Sequence, residues 1–162
     1  TASPYGIAAI CRIPDMRFEM PAGNALLLDG VSDPGNLGTI MRTAAAGGFC
    51  EIYTLDTADI YSPKVIRATL GALFKVKVYS VDEAQALKLM RECDSCVLDM
   101  GGQSILNEKI NSSVLFVSGS EAHGVREKLK SEAKRVYTLP RKTQIDSLNV
   151  AVATAVAMYQ TV

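Results

Sequence analysis

Three polar stretches of this chain hold side chains whose types and spacing suit work on a bound ligand. The first runs from Asp29 to Thr43. It places Asn36 near a helix start and Arg42 about two turns later, so that an amide and a fixed five-donor guanidinium could face one ligand. The plainer reading makes Asp33-Pro34-Gly35 an ordinary turn and Asn36 a helix cap. The second runs from Val117 to Gly124 and carries Gly119, Glu121, His123 and Gly124. Its glycines offer backbone N–H groups, but a carboxylate inside the loop argues against a simple phosphate cradle. Glu121 instead suits orienting a hydroxyl or a basic group. His123 is the only histidine, and with no ligand partner beside it no metal site is expected. The third runs from Leu139 to Val150, where Asp146 or Ser147 can cap a helix and Asn149 falls in its first turn. Capping does not account for Asn149 just before so apolar a helix. Cys93 and Cys96 form a lone C-x-x-C with no second pair for zinc, and read as an incidental pair at a helix-to-strand junction.

All three stretches follow short apolar runs, as loops at the ends of strands do. The strands are predicted over 25–29, 51–55, 76–80, 96–100, 114–118 and 135–139, mostly continuous Leu/Val/Ile runs of the kind covered on both faces. Helices are predicted over 37–46, stopped by Gly47-Gly48; over 63–74, with Ser62 as cap and Pro63 at the first position; from Asp82 to Cys93; over 124–133; and over 147–160. Strict alternation gives an α/β class with a mostly parallel sheet and helices on both faces. Residues 1–24, broken by Pro4, Pro14 and Pro21, read as a linker or entry segment to a domain spanning 25–162. The chain starts at Thr1 without a Met, so it is expected to be a piece of something longer.

Composition bounds the function. The 162 residues suit one domain, and 48% hydrophobic residues give it a sizeable core. The apolar stretch from Val150 to Val162 is too short to span a bilayer, so no membrane partner is expected. Four scattered cysteines point to a reducing, cytoplasmic location. Seventeen basic residues balance seventeen acidic ones, which excludes a uniformly basic nucleic-acid binder but not a locally basic one. Two windows are locally basic. From Arg126 to Lys142 seven basic residues meet two acids, and from Lys64 to Lys77 there are four basic residues and no acid.

Taken in order, the three stretches resemble the SpoU (TrmH-like) RNA ribose methyltransferases of the SPOUT superfamily. The matching residues are Asn36-Leu37-Gly38 with Arg42-Thr43, then Gly119-Ser120-Glu121-Ala122-His123-Gly124, then Leu139-Pro140 with Ser147-Leu148-Asn149-Val150. Pro63-Lys64, Arg67-Ala68-Thr69 and Gly71-Ala72 are similar to the helix between the first two motifs. Ser3 to Ala8 is similar to the segment that joins an N-terminal RNA-binding domain to the catalytic domain in rRNA-modifying members. The third motif departs from the family pattern at Thr143, where Gly is usual, and at Arg141-Lys142.

The resemblance implies a C-terminal trefoil knot, a feature that alternation alone would not give. It implies S-adenosylmethionine as cofactor near Gly119, Leu139 and Leu148, and transfer of its methyl group to a ribose 2′-hydroxyl of RNA, with rRNA favoured and tRNA the alternative substrate. Arg42 would act at that hydroxyl. An arginine, which holds its proton firmly, suits stabilising a developing alkoxide and an adjacent phosphate better than removing a proton. Asn36 would hold the ribose or Arg42, while Glu121, Ser147 and Asn149 would orient the reacting groups. The basic window, through Lys128, Lys130, Lys134, Arg141 and Lys142, is expected to track RNA phosphates. A homodimer is expected as well, because Leu148 to Val162 has no charged residue and its helix needs cover on more than one side. The competing class is a non-catalytic RNA-binding module that has kept the fold, for which Thr143 is the best support.

Overall fold

The computed structural model describes residues 6, 10–110, 113–143 and 147–162. Six strands form one sheet: β1 (Ala25–Asp29), β2 (Glu51–Leu55), β3 (Lys77–Ser80), β4 (Asp94–Ser104), β5 (Val114–Gly119) and β6 (Arg135–Thr138). Their order is β3-β2-β1-β5-β4-β6, and every pairing is parallel. The continuous apolar runs are explained by cover on both faces. Leu26, Leu28, Ile52 and Phe116 point to one core, and Leu27, Tyr53, Leu115 and Val117 point to the other.

Helices α1 (Pro34–Ala46), α2 (Pro63–Thr69) and α5 (Val150–Met158) pack on the first face, α3 (Glu83–Glu92) and α4 (Glu127–Lys130) on the second. Local chemistry sets their starts. Asp33 caps α1 through the Asn36 backbone N–H at 2.7 Å, with Pro34 in the first turn. Ser62 caps α2, and Asp82 with Gln85 closes a reciprocal capping box on α3. Gly38 lets α1 and α2 touch, since a Cβ there would lie 2.4 Å from Ala68 Cβ. The tight approach expected at this glycine is therefore to a neighbouring helix.

Three predicted helices are shorter than expected. The 63–74 pattern breaks after Thr69, where Leu70 (φ 48°) and Gly71 (φ 87°) turn left-handed before a 3-10 turn at Ala72–Lys75. Of the predicted 124–133 helix only α4 forms. The last helix starts at Val150, capped by Asn149 rather than by Ser147 or in its own first turn; Asp146 lies outside the described residues. Within the expected entry segment, Met16, Phe18 and Met20 lie against the second core, and Tyr53 donates to the Glu19 carbonyl at 2.8 Å. Of the motif from Ser3 to Ala8 only Gly6 is among the described residues. No helix among the described residues is long and apolar enough to cross a membrane.

Candidate active site

The chain crosses the sheet between β3 and β4, so β1 and β5 become neighbours whose following loops diverge. Such a reversal leaves a crevice at the strands' carboxyl ends. Asp29 and Gly119, the last residues of β1 and β5, lie side by side there. The buried Asp29 carboxylate accepts from the Arg126 backbone N–H and Nε, both at 2.8 Å, which ties the chain beyond the β5 loop to β1. That loop closes on itself through Ser120 and Gly124, whose backbones exchange bonds of 3.2 and 2.8 Å. A Cβ on Gly119 would sit 2.0 Å from the Gly124 carbonyl carbon. Gly119 lets the loop's ends touch, and Gly124 supplies the left-handed turn (φ 68°) that closes it.

Around this loop lies a cavity of about 320 Å³, within the ~300–1,000 Å³ range of small-molecule sites. It is lined by Gly119, Leu139 and Leu148, the three residues expected at a cofactor, and also by Glu121, Ser147 and Arg141. Two contributions were not foreseen from the sequence. Tyr137 of β6 pairs with both Leu98 and Gln103 of β4, so residues 99–102 loop out and bring Asp99 and Met100 to the cavity wall. Gly102 permits this, because a Cβ there would meet the Val136 carbonyl oxygen at 2.5 Å; Gly101-Gly102 inside a strand was the available signal. Deeper in, the buried Ser118 and Thr154 hydroxyls bond at 2.7 Å. Thr143 is exposed and is not among the lining residues.

Beside the cavity, Asn36, Glu121 and Asn149 form a chain of hydrogen bonds whose direction is fixed from one end. Asn149 Oδ1 accepts from the backbone N–H groups of Ala151 and Val152, at 2.9 and 3.3 Å, as the cap of α5. Its amide nitrogen is therefore left to donate, and does so to Asn36 Oδ1 at 2.9 Å. Asn36 must then present its own nitrogen to Glu121 Oε1. The first turn of α1, the loop after β5 and the cap of α5 are thereby locked into one orientation.

Arg42 is not part of this group. Six residues at about 100° each put it roughly 120° around α1 from Asn36, so the two do not face one ligand. Asn36 holds Glu121 and Asn149 and makes no bond to Arg42. Arg42 is exposed and does not line the cavity, and its side chain makes no hydrogen bond or ion pair with the described residues. The expected basic window is partly neutralised: Lys128 pairs with Glu83 at 2.7 Å and Lys130 with Asp99 at 2.8 Å. Lys134 and Lys142 are exposed, and Arg141 Nη1 approaches Met100 Sδ at 3.4 Å. The Lys130 ammonium beside Asp99, helped by the Gly101 N–H, holds that carboxyl below the usual range against the opposing effect of burial. Burial pushes both the Cys93 and Cys96 thiols up, which keeps them protonated and unreactive.

Known proteins resemble this chain in sequence and fold. The model of the SpoU rRNA Methylase family matches residues 23–159. A 23S rRNA (guanosine(2553)-2'-O)-methyltransferase, RlmP of Bacillus subtilis, is 35% identical over 98% of this chain and 65% of its own length. A 23S rRNA (guanosine-2'-O-)-methyltransferase, RlmB of Bordetella pertussis, is 34% identical over 85% of this chain and 58% of its own. The AdoMet-bound rRNA methyltransferase from Sinorhizobium meliloti superposes with a TM-score of 0.80 at 30% identity, over 85% of this chain and 54% of that one. This chain thus spans less than two thirds of the length of each. With 137 of its residues matched in one continuous stretch, the chain belongs to the SpoU rRNA Methylase family.

Proposed function

We propose that this chain transfers a methyl group from S-adenosylmethionine to a ribose 2′-hydroxyl of RNA, in the first instance ribosomal RNA. The observation that carries this reading is the convergence of Gly119, Leu139 and Leu148 on one cavity directly beside the Asn36–Glu121–Asn149 chain. The lining fits the cofactor: apolar Leu139 and Leu148 suit a flat heteroaromatic ring, while Ser147 and Asp99 suit its polar groups. When bound, the cofactor supplies an activated methyl group on a good leaving group, so the protein's task is alignment. Glu121, fixed through one oxygen by Asn36, keeps the other for an incoming hydroxyl. Ser147 at the cavity edge orients the same group. Arg42 stabilises the alkoxide as the proton leaves, and Lys134, Arg141 and Lys142 hold flanking phosphates. Lys128 and Lys130 contribute less, because their charge is shared with Glu83 and Asp99.

Two architectural expectations belong to the same proposal. β6 lies at the sheet edge beyond β4, yet the following α5 packs on α1 and β5, and Leu139 and Leu148 line one cavity. A knotted crossing between them, as in SPOUT proteins, accounts for this. The second is a homodimer in which Arg42 of one copy completes the site of the other, since Arg42 stands away from its own cavity. The exposed, free Cys11 and Cys50 agree with a reducing cytoplasm. Calorimetry with S-adenosylmethionine and mapping of 2′-O-methylation across total RNA, with and without the protein, test the reading together. Saturable cofactor binding and a new methylated site are expected; no detectable binding would favour the non-catalytic module.

A further inference from the structure

We propose that α2 and the 3-10 turn after it form an RNA-docking ridge, on which Lys64, Arg67 and Lys75 hold phosphates and Phe74 stacks on an unpaired base. The proposal rests on the methyltransferase reading and assigns a surface outside the motifs that carry it. From Ile60 to Val81 the chain contains no Asp or Glu. Lys64, Arg67 and Lys75 are all exposed, and none has an ion pair with the described residues. In contrast, Arg91, Arg126, Lys128 and Lys130 on the other side of the sheet each hold a carboxylate. The helices of the first face, α1, α2 and α5, carry no acid at all.

The backbone breaks where an aromatic is displayed. The left-handed residues Leu70 and Gly71 end α2 and leave Phe74 84% exposed and Leu70 71% exposed. A bulky residue in this conformation carries strain, and an isolated phenyl ring in water gains nothing from its position. Both become useful if a base covers the ring, because stacking on an aromatic between cations is the usual means of holding single-stranded RNA. The ridge runs beside α1, from the crevice side of the sheet back to the amino end of β3. Helices α1 and α2 both return from the carboxyl edge of a parallel sheet, and they touch at Gly38 and Ala68. One turn further on, α1 presents Arg42 while the chain after α2 presents the Leu70–Phe74 turn, and the two segments remain in contact.

The test uses the full chain, with a labelled single-stranded RNA of mixed sequence for binding and transcribed large-subunit rRNA for methyl transfer. Phe74→Ala is expected to weaken RNA binding about 5- to 100-fold and raise KM for RNA to match, with kcat at saturating RNA and S-adenosylmethionine affinity unchanged. Phe74→Tyr should restore wild-type affinity, which a purely structural role of the ring would not require. The triple variant Lys64→Ala/Arg67→Ala/Lys75→Ala should lower the slope of log affinity against log salt by about two. If wild type methylates rRNA and these variants match it in KM and salt slope, the ridge is wrong and the methyltransferase reading stands. If Phe74→Ala sediments as a monomer while its RNA affinity is unchanged, the ridge is a protein contact and the proposal fails. A wild-type chain that binds neither S-adenosylmethionine nor RNA overturns both.

Discussion

Asn149 does two things with one amide: its oxygen caps α5 and its nitrogen orients Asn36. Asn149→Asp separates them. An aspartate caps a helix as well as asparagine does, so thermal stability should stay within about 0.5 kcal/mol of wild type. It cannot donate to Asn36, so Glu121 loses its fixed partner and methyl transfer should fall about 10- to 100-fold. Arg42→Ala should cost ~10²–10³ in turnover and leave cofactor binding intact in calorimetry, because Arg42 stands outside the cavity. Equal loss of both would remove it from the reaction. Asp99 gives a pH signature. Its carboxyl is depressed in the folded state, so its stabilisation is present above the unfolded value of about 3.9 and is lost as pH falls through the folded one. In Asp99→Asn, denaturant melts should show a flatter acid arm and a loss of about 1 kcal/mol or less at neutral pH, since the pair is partly exposed.

At the level of elements, the sequence displayed what depends on period and hid what depends on contact. All six strands and five helices were legible because continuous apolar runs and caps such as Ser62 and Asp82 act locally. The break at Leu70 was not, because a leucine gives no sign of a left-handed backbone. The looping out of residues 99–102 was hidden for a related reason: it is defined by which β6 residue pairs with Leu98 and Gln103. Motif order singled out Asn36, Glu121 and Asn149, which the structure brings together, yet the separation of Arg42 from Asn36 needed the helix built in three dimensions. Gly38 illustrates the same divide, since the motif marks it and only packing says why. Gly38→Ala should force α1 and α2 apart and cost about 1–3 kcal/mol in chemical denaturation.

For the molecule as a whole, α5 has two apolar faces with different fates. Val150, Ala151, Thr154, Ala157 and Met158 are buried on the protein's own sheet. Val152 and Tyr159, 53% and 51% exposed, form a second stripe with the half-buried Ala155 and Val156 between them at helical spacing. The stripe is uncharged, and the proposed homodimer would cover it. Val152→Arg should therefore leave the melting profile of the protomer nearly unchanged while shifting sedimentation from dimer to monomer and reducing methyl transfer. Arginine at Ala157 or Met158 would instead disrupt the protomer itself. The position of Arg42, on the flank of α1 and apart from the cavity of its own chain, carries a genetic corollary. If each site takes its arginine from the other copy, two inactive alleles can rescue one another. Mixed Arg42→Ala and Glu121→Ala chains would form hybrid pairs with one site wholly wild type, recovering about a quarter of full activity in a two-fold symmetric pair.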